Sequence, residues 1–216
     1  FIAAGSVTGS VSYHRYISDT DWHLVSAPVS GQSIPLFVAE SGNSVTTNGV
    51  NGNYAVARYK SENSASTRWT YHNTSPSAAN QETLVDFNTG QGYSMNRTAA
   101  GVYMFSGSME TANVAVSLTY SGGQGHYWSC VGNPYPSFMP ANANASASNV
   151  LGQNLAFLDP SFAALYLWDG SGYQVINQAS AAVQLAPGQA FMVKAKDASE
   201  TFTFTESLQN HQSGND

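Results

Sequence analysis

The chain has 216 residues and a net charge of −6, and only 9% of its residues are charged. It contains no run of Lys and Arg, which argues against nucleic acid and densely sulfated polysaccharides as partners, since both demand a concentrated basic surface. With 42% hydrophobic residues the sequence predicts a folded protein, and it has no apolar stretch long enough to span a membrane. The low content of charged residues is typical of extracellular β proteins, so we expect the protein to be secreted or at the cell surface.

The first predicted strand covers residues 11–16, where polar and apolar side chains alternate. Asp19 and Asp21 follow it, with the spacing of half a calcium-binding loop. The remaining ligands of an EF-hand loop are missing, because Trp22 and His23 come next. We interpret the segment as a solvated turn before a strand, and a structural calcium site at Asp19 and Asp21 is the alternative.

Four short blocks recur in the same order along the chain. They are residues 22–30 with 128–136, residues 54–59 with 163–168, residues 90–95 with 188–193, and residues 102–105 with 201–204. Four matches in one order are hard to produce by chance, so the sequence predicts an internal duplication. We place the first β repeat at residues 1–110, the second at residues 111–209, and a linker at residues 210–216.

Each repeat is expected to form five or six short strands, because β-branched and aromatic residues alternate between Gly, Asn, Ser and Pro punctuation. Residues 169–172 predict a hairpin turn, and residues 137–159 predict a short helix or a long loop. The predicted fold class is all-β, sandwich-like or jelly-roll-like, with the repeats related by a pseudo-twofold axis. One composite domain and two separate lobes both stay open.

The segment Val-Gly-Asn-Pro-Tyr-Pro at residues 131–136 and the motif Gly-Gln-Gly/Ala-aromatic at residues 90–93 and 188–191 carry a family resemblance. They resemble a β-rich module of secreted multidomain proteins of Bacteroidetes, often placed before a type IX secretion sorting domain. The resemblance implies an ancillary module, covalently linked to catalytic or adhesin domains. Residues 26–28 read Ser-Ala-Pro instead of Gly-Asn-Pro, so the two repeats need not share a function.

The sequence has no motif of an active site. Its acids and histidines are scattered, and no metal-protease, nucleophile-elbow or phosphate-loop pattern occurs. A hydrolase or lyase that assembles two carboxylates from distant strands is the weaker alternative. The single cysteine, Cys130, lies in an apolar run and is predicted to be a small buried hydrophobe. No cofactor is required by these patterns.

Alternation in residues 165–168 suggests which rings face outward. If the two leucines point to the core, Tyr166 and Trp168 share the opposite face beside Asp169. Trp168 is therefore the first candidate for a ring that stacks on a sugar, and Tyr59 occupies the equivalent position in the first repeat. Burial of both sheet faces is the alternative.

Residues 68–72 alternate in the same way. Trp69 and Tyr71 share a face that we predict to be core, with ligand binding as the alternative, so Arg68 and His72 are predicted to be exposed. Arg58 has an apolar equivalent in the second repeat. We predict that it is paired within the protein, and the alternative is that it faces a ligand.

Trp22 and Trp128 open equivalent strands, and the simplest prediction is that both are core residues. Tyr135 is specific to the second repeat and lies in a proline-rich segment, so it is predicted to be an exposed loop aromatic. His126 adjoins the Gly-rich residues 121–125 and is a further loop candidate.

These features favour a noncatalytic carbohydrate-binding module for a neutral or lightly charged polysaccharide, algal polymers included. Binding is expected through aromatic stacking and polar side chains. The candidate ligand-binding residues are Trp168, Tyr166, Asp169, Tyr135, Tyr59, Arg58, Arg68 and Trp69. An adhesion or spacer domain is the alternative function.

Overall fold

The computed structural model describes residue 2, residues 5–118 and residues 126–212. The strands of the first half are β1 (Val11–Ile17), β2 (His23–Val25), β3 (Val56–Tyr59), β4 (Trp69–His72), β5 (Gln81–Glu82), β6 (Tyr93–Met95) and β7 (Gly101–Gly107). Those of the second half are β8 (Val114–Ser117), β9 (Trp128–Gly132), β10 (Met139–Pro140), β11 (Leu165–Trp168), β12 (Tyr173–Ile176), β13 (Gln184–Leu185), β14 (Ala190–Lys194) and β15 (Thr201–Phe204).

Helices are few and short. The α-helices are α1 (Ile34–Ala39) and α2 (Val150–Asn154), and 3-10 helices cover Ser41–Asn43, Ala65–Thr67, Leu155–Phe157, Pro160–Phe162 and Glu206–Leu208. The helix α2 lies inside residues 137–159, where a short helix was one of two predicted outcomes. No helix among the described residues has the length and apolar character needed to cross a membrane.

The strands form two larger sheets and three strand pairs. One sheet has the order β2-β6-β3-β4-β5 and the other has the order β12-β11-β14-β9, while β1-β7, β8-β15 and β10-β13 form the pairs. All the neighbouring strands are antiparallel except β4 and β5, which run parallel. The predicted all-β, sandwich-like fold class is confirmed.

The two larger sheets have corresponding strand orders. The order β2-β6-β3-β4 in the first half matches β9-β14-β11-β12 in the second, and the pair β1-β7 matches β8-β15. The blocks that recur in the sequence fall on or beside these strands. This is the arrangement that a duplicated unit would produce, although the duplication and its boundaries stay predictions.

Reciprocal backbone hydrogen bonds join the two halves. The amide of Ser26 donates to the carbonyl of Gly188 at 2.7 Å, and the amide of Gly132 donates to the carbonyl of Gly90 at 2.9 Å. Gly90 and Gly188 have φ of 77° and 66°, in the left-handed region that favours glycine. The halves therefore meet through backbone at two equivalent glycine turns, which fixes how the larger sheets face each other.

Each half has its own hydrophobic core between a larger sheet and a strand pair. In the first half, Val56, Tyr93 and Met95 of the five-stranded sheet pack with Tyr103 and Phe105 of β7. The second half is built in the same way. Its core includes Leu165, Phe191 and Val193 of the four-stranded sheet and Phe202 and Phe204 of β15. Burial of these side chains supplies the main driving force for folding.

Tyr135 is part of that second core, so the prediction of an exposed loop aromatic is wrong. It is fully buried, and its hydroxyl lies 2.8 Å and 2.9 Å from the carbonyl oxygens of Ala112 and Phe204. The buried side chain of Asn133 accepts from the Tyr135 amide at 3.1 Å and donates to the carbonyl of Ser137 at 2.8 Å. These bonds fold the proline-rich segment onto the core.

His72 is also buried, and the prediction that it is exposed is wrong. Strand β4 is covered on the His72 side, where the backbone amide of Leu84 donates to His72 Nδ1 at 3.1 Å. The neutral ring therefore carries its proton on Nε2. Burial lowers the pKa of His72 from its ordinary value of 6.5.

We expect the free energy of unfolding to fall as the pH drops below about 6.5, the ordinary pKa of histidine. The unfolded chain takes up a proton on His72 there, while the folded protein holds the ring neutral until its lower pKa is reached. The slope from this one proton is at most about 1.4 kcal/mol per pH unit. Urea denaturation between pH 5 and pH 8 measures it. His72→Asn, which keeps an acceptor near the Leu84 amide, should reduce the slope, and an unchanged slope would assign the effect to other groups.

Candidate functional site

A third hydrophobic cluster lies where the two larger sheets meet. Its buried centre consists of Leu24, Cys130, Ala190 and Met192, one residue from the first half and three from the second. Cys130 is fully buried, as predicted, and burial raises the pKa of its thiol far above the ordinary range. Because these central side chains are small or slender, the sheets approach closely there.

Large rings surround this centre, and we call them the aromatic belt. The belt consists of Trp22, Tyr59, Trp69 and Tyr71 from the first half and Trp128, Tyr166, Trp168 and Tyr173 from the second. Each ring is half-buried or exposed, and five of them pack against the cluster: Tyr59, Trp69, Trp128, Tyr166 and Trp168. The four tryptophans of the chain all belong to it.

Cross-strand pairing places the rings of each half side by side. Tyr59 on β3 faces Trp69 on β4, with ring centroids 5.1 Å apart in an edge-to-face arrangement. Trp168 on β11 faces Tyr173 on β12 in the same arrangement, also at 5.1 Å. Edge-to-face pairs of this kind fix the rings beyond what burial alone achieves. These two pairs therefore restrain four of the eight rings of the belt.

The alternation predicted for residues 165–168 is confirmed. The two leucines are buried in the second core, and Tyr166 and Trp168 lie on the opposite face of β11. Tyr166 packs edge-to-face on Trp128 at 4.9 Å. Tyr59 takes the equivalent place to Trp168 on β3, as the aligned blocks predicted.

The core placement predicted for Trp69 and Tyr71 is wrong. They face the belt, where both rings stay partly exposed. The equivalent positions on β12 hold Tyr173 and Val175. Those side chains are 48% and 50% exposed, so the apolar character of this strand face marks a surface rather than a core.

The core prediction is wrong for Trp22 and is met only in part by Trp128, whose half-buried ring packs against the third cluster. Trp22 is 40% exposed and lies edge-to-face against Tyr71, with centroids 6.0 Å apart. Trp128 is half-buried and carries Phe162 against its other side at 5.7 Å. Both tryptophans sit where a strand emerges from a loop, at the rim of the third cluster.

Three cavities open along the belt. The first, of about 430 Å³, lies between Trp22, Tyr54 and Tyr71 and is lined by asparagines, so we call it the asparagine cavity. The central cavity, of about 280 Å³, lies between Trp22, Trp69 and Trp168. The third, also of about 430 Å³, contains Arg68 and is called the arginine cavity. Trp22 and Tyr71 line the first two, and Tyr173 lines the last two.

The asparagine cavity combines rings with amide groups. Asn48, Asn51, Asn53 and Asn80 line it beside Trp22 and the other rings. Asn48 and Asn51 are exposed and shape their own turn, because the Oδ1 of Asn48 accepts from the amide of residue 50 at 2.9 Å. Amides offer both donors and acceptors, which suits a ligand rich in hydroxyl groups.

Arg58 points away from the belt and is paired within the protein, as predicted. Its Nη2 donates to Glu82 Oε2 at 2.6 Å, its Nε also bonds this carboxylate, and Lys60 Nζ donates to Oε2 at 2.7 Å. Burial opposes ionisation of Glu82, but these hydrogen bonds outweigh it and lower its pKa. Neighbouring strand residues point to opposite faces, which explains why Arg58 and Tyr59 are separated.

Asp19 caps the turn before β2. Its Oδ1 accepts from the Asp21 amide at 2.9 Å and lies 2.8 Å from His23 Nε2, and its Oδ2 accepts from Ser18 at 2.8 Å. These bonds, led by that of the Asp21 amide, lower the pKa of Asp19 to about 2. Within residues 5–118 and 126–212, no three His, Cys, Asp or Glu side chains form a metal-binding group. The geometry is that of a turn, and it does not support the calcium alternative.

Asp169 also serves a turn. Its Oδ1 accepts from the amides of Ser171 and Gly172, both at 2.9 Å, and these bonds lower the pKa of Asp169 to about 2. Gly170 has a φ of 100°, so the predicted hairpin turn is confirmed. Asp169 follows Trp168 but lines none of the three cavities described above.

The belt and the cavities along it bring together five of the eight predicted ligand-binding residues. These are Tyr59, Arg68, Trp69, Tyr166 and Trp168. The prediction did not include Trp22, Tyr71, Trp128, Tyr173 or the asparagines. The signal for Tyr71 was in the sequence, since alternation on β4 placed it on the same face as Trp69, but that face was assigned to the core.

The geometry of the belt is therefore the basis for assigning a function to this protein. Comparisons of the chain with family models, curated proteins and solved structures find no match.

Proposed function

We propose that the protein is a noncatalytic carbohydrate-binding module whose ligand is a polysaccharide bound along the aromatic belt. The observation that carries this proposal is the partial exposure of eight rings on one continuous surface between the sheets. Sugars present apolar C–H faces that stack on aromatic rings, while their hydroxyl groups need polar partners. Adjoining cavities of 430, 280 and 430 Å³ offer room for several consecutive sugar units.

Polar groups at the belt support the same ligand class. The indole N–H of Trp168 is enclosed and has no acceptor among the described residues. Leaving a buried donor unpaired costs about 1–3 kcal/mol, and a bound hydroxyl group that accepts from it adds to affinity once a shift of the ring brings the N–H into contact with the ligand. The amides of the asparagine cavity supply further donors and acceptors at the opposite end of the belt.

The cavity linings support binding without catalysis. Glycoside hydrolysis uses a pair of carboxylates on either side of the scissile bond. Among the described residues that line the three cavities there is no Asp or Glu. We propose further that the module is secreted or displayed at the cell surface as part of a larger protein, in keeping with its low content of charged residues.

Trp168→Ala is expected to weaken polysaccharide binding about tenfold, because the loss of one stacked ring removes about 1.4 kcal/mol or more. Affinity electrophoresis in gels containing xylan, cellulose derivatives, agarose, chitin derivatives or algal polysaccharides measures the effect. Tyr173→Ala, which changes a more exposed ring, tests the same surface with less risk to folding.

Tyr16→Ala is the matched control. Tyr16 is 58% exposed on β1 and lines none of the three cavities, so its removal should leave binding unchanged. Tryptophan fluorescence offers a second readout, since all four indoles lie on the belt. If the unaltered protein is retained by no polysaccharide, the proposal fails and an adhesion or spacer role takes its place.

A further inference from the structure

We propose that the arginine cavity is a subsite for an acidic sugar, with Arg68 binding a carboxylate or sulfate group carried by an otherwise neutral chain. This inference rests on the proposed polysaccharide binding and gives that ligand a chemical class. The cavity lies between Tyr59 and Arg68 of the first half and Trp128, Tyr166 and Tyr173 of the second.

Arg68 is held where its guanidinium faces the cavity. It ends the 3-10 helix Ala65–Thr67, and its backbone carbonyl accepts from the Lys60 amide at 2.7 Å. Tyr59 and Arg68 line the same cavity. Burial raises the pKa of Tyr59, and the charge of the Arg68 guanidinium and its hydrogen bond with the Tyr59 side chain oppose that rise. The Nε of Arg68 is enclosed and has no acceptor among the described residues.

Three other cations on or beside the larger sheets already form ion pairs. Arg58 and Lys60 share the carboxylate of Glu82, and Lys194 pairs with Asp159 at 3.0 Å. Among the described residues Arg68 forms no ion pair, and neither Asp nor Glu lines its cavity. An anion that entered would therefore meet one uncompensated positive charge.

The walls of the cavity strengthen that attraction. Trp128, Tyr166 and Met192 form an apolar surface beside the guanidinium, and charges interact more strongly where water is displaced by such groups. A planar guanidinium matches a carboxylate or a sulfate through two parallel N–H donors. The ring faces can hold the sugar while Arg68 binds its acidic group.

The charge of the whole protein limits how acidic the glycan is. A net charge of −6 repels a polymer that carries an anion on every sugar. The two neighbouring cavities have no charged lining residues. One cationic subsite beside them fits a polysaccharide in which acidic sugar units are widely spaced. The inferred ligand is thus a mainly neutral polysaccharide with occasional uronate or sulfated units.

Titration with single sugars tests this subsite. The probes are glucuronate against methyl glucoside, for a carboxylate, and galactose 6-sulfate against galactose, for a sulfate. Tryptophan indole N–H signals in NMR spectra report binding. The unaltered protein is expected to bind at least one acidic sugar about tenfold more tightly than its neutral partner, as charge-assisted hydrogen bonds predict.

Arg68→Gln should abolish that preference and leave neutral-sugar binding within about twofold, because the rings are untouched. Lys196→Gln removes the same charge from an exposed position outside the cavity and is the matched control. Tyr173→Ala, which removes a ring that lines the arginine cavity, should weaken the binding of both kinds of sugar.

The outcomes separate the two proposals. Equal binding of acidic and neutral sugars, unchanged by Arg68→Gln, would overturn the acidic subsite and leave polysaccharide binding intact. If no sugar of either kind and no polysaccharide binds, both proposals fall. The carboxylate and sulfate probes also show which acidic group the cavity prefers.

Discussion

Replacing Arg97 with methionine is expected to lower the free energy of unfolding by about 3–5 kcal/mol, because it leaves buried carbonyl groups without donors. Arg97 is only 3% exposed. Its Nη1 donates to the carbonyls of Asn43 at 2.7 Å and Val102 at 2.6 Å, and its Nε donates to that of Ala99 at 3.1 Å. Methionine has a similar length but no N–H group.

The position of the charge explains why the loss is large. The guanidinium lies over the Tyr103 ring, 4.9 Å from its centroid, and no carboxylate among the described residues pairs with it. Burial lowers the pKa of Arg97, since it penalises the charged form. The side chain is retained in the core because one planar group with five donors joins the segment around Asn43 to the start of β7.

Urea denaturation followed by circular dichroism measures this prediction. Arg97→Lys keeps the charge but concentrates its donors on one nitrogen, so an intermediate loss is expected. Lys196→Met, at an exposed position, should change the free energy of unfolding by less than about 0.5 kcal/mol. A loss below about 1 kcal/mol for Arg97→Met would mean that other donors, water included, replace the guanidinium.

The role of Arg97 illustrates what the sequence could not reveal. Nothing in its neighbourhood distinguishes it from the exposed cations, because its partners are backbone carbonyls from residues 42 and 43 and from residues 99 and 102. Backbone groups are the same at every residue, so the amino-acid sequence does not identify a side chain whose partners are backbone carbonyls. The same holds for Asn133 around the buried Tyr135.

The strands were easier to predict from the sequence than the role of Arg97. Alternation identified which residues share a face, and on β11 it also identified the buried face, since two leucines alternate with Tyr166 and Trp168. On β4 both faces carry rings or polar groups, and the choice was wrong. Trp69 and Tyr71 face the belt, whereas His72 and Thr70 are buried. Alternation gives the two sets of residues but does not say which set a neighbouring sheet covers.

The belt itself depends on a contact that no single strand encodes. It forms because the outer faces of the two larger sheets meet, and that contact needs small residues at the centre. Trp22 shows the consequence. Its repetition at an equivalent position predicted a core residue, yet its ring is 40% exposed at the rim of the third hydrophobic cluster, which both halves share. The centre of the contact consists of Leu24, Cys130, Ala190 and Met192, with Gly92 beside Cys130 and Ala190, and no alternation within one strand marks these residues as an interface.

Gly92→Ala is accordingly expected to destabilise the protein by about 3 kcal/mol, through overpacking at the junction of the two halves. An added Cβ would lie 2.4 Å from Cys130 Sγ and 2.9 Å from the Cβ of Ala190. A backbone shift that would relieve these contacts is restricted. The Gly92 amide donates to the Cys130 carbonyl at 3.0 Å, and the next residue, Tyr93, is fully buried.

Cys130→Ala provides the matched test, since it removes the sulfur atom that the new methyl group would strike. Alone it should cost about 1–2 kcal/mol as a small cavity, but combined with Gly92→Ala it should restore about 1 kcal/mol or more relative to the sum of the single changes. Additive losses in urea denaturation would contradict the steric explanation, because they would mean that the two positions do not share one space.

The same pair of variants connects the junction to the belt. Because the rings of the belt pack around the centre formed by Cys130, Ala190 and Met192, a forced separation at Gly92 must also move those rings. Gly92→Ala is therefore expected to shift the tryptophan fluorescence and to weaken polysaccharide binding, even though residue 92 lines none of the three cavities. Partial recovery of both signals in Gly92→Ala/Cys130→Ala would show that the spacing of the sheets sets the geometry of the belt. Recovery of stability without recovery of the fluorescence would instead mean that the spacing of the sheets at Gly92 does not determine the arrangement of the rings.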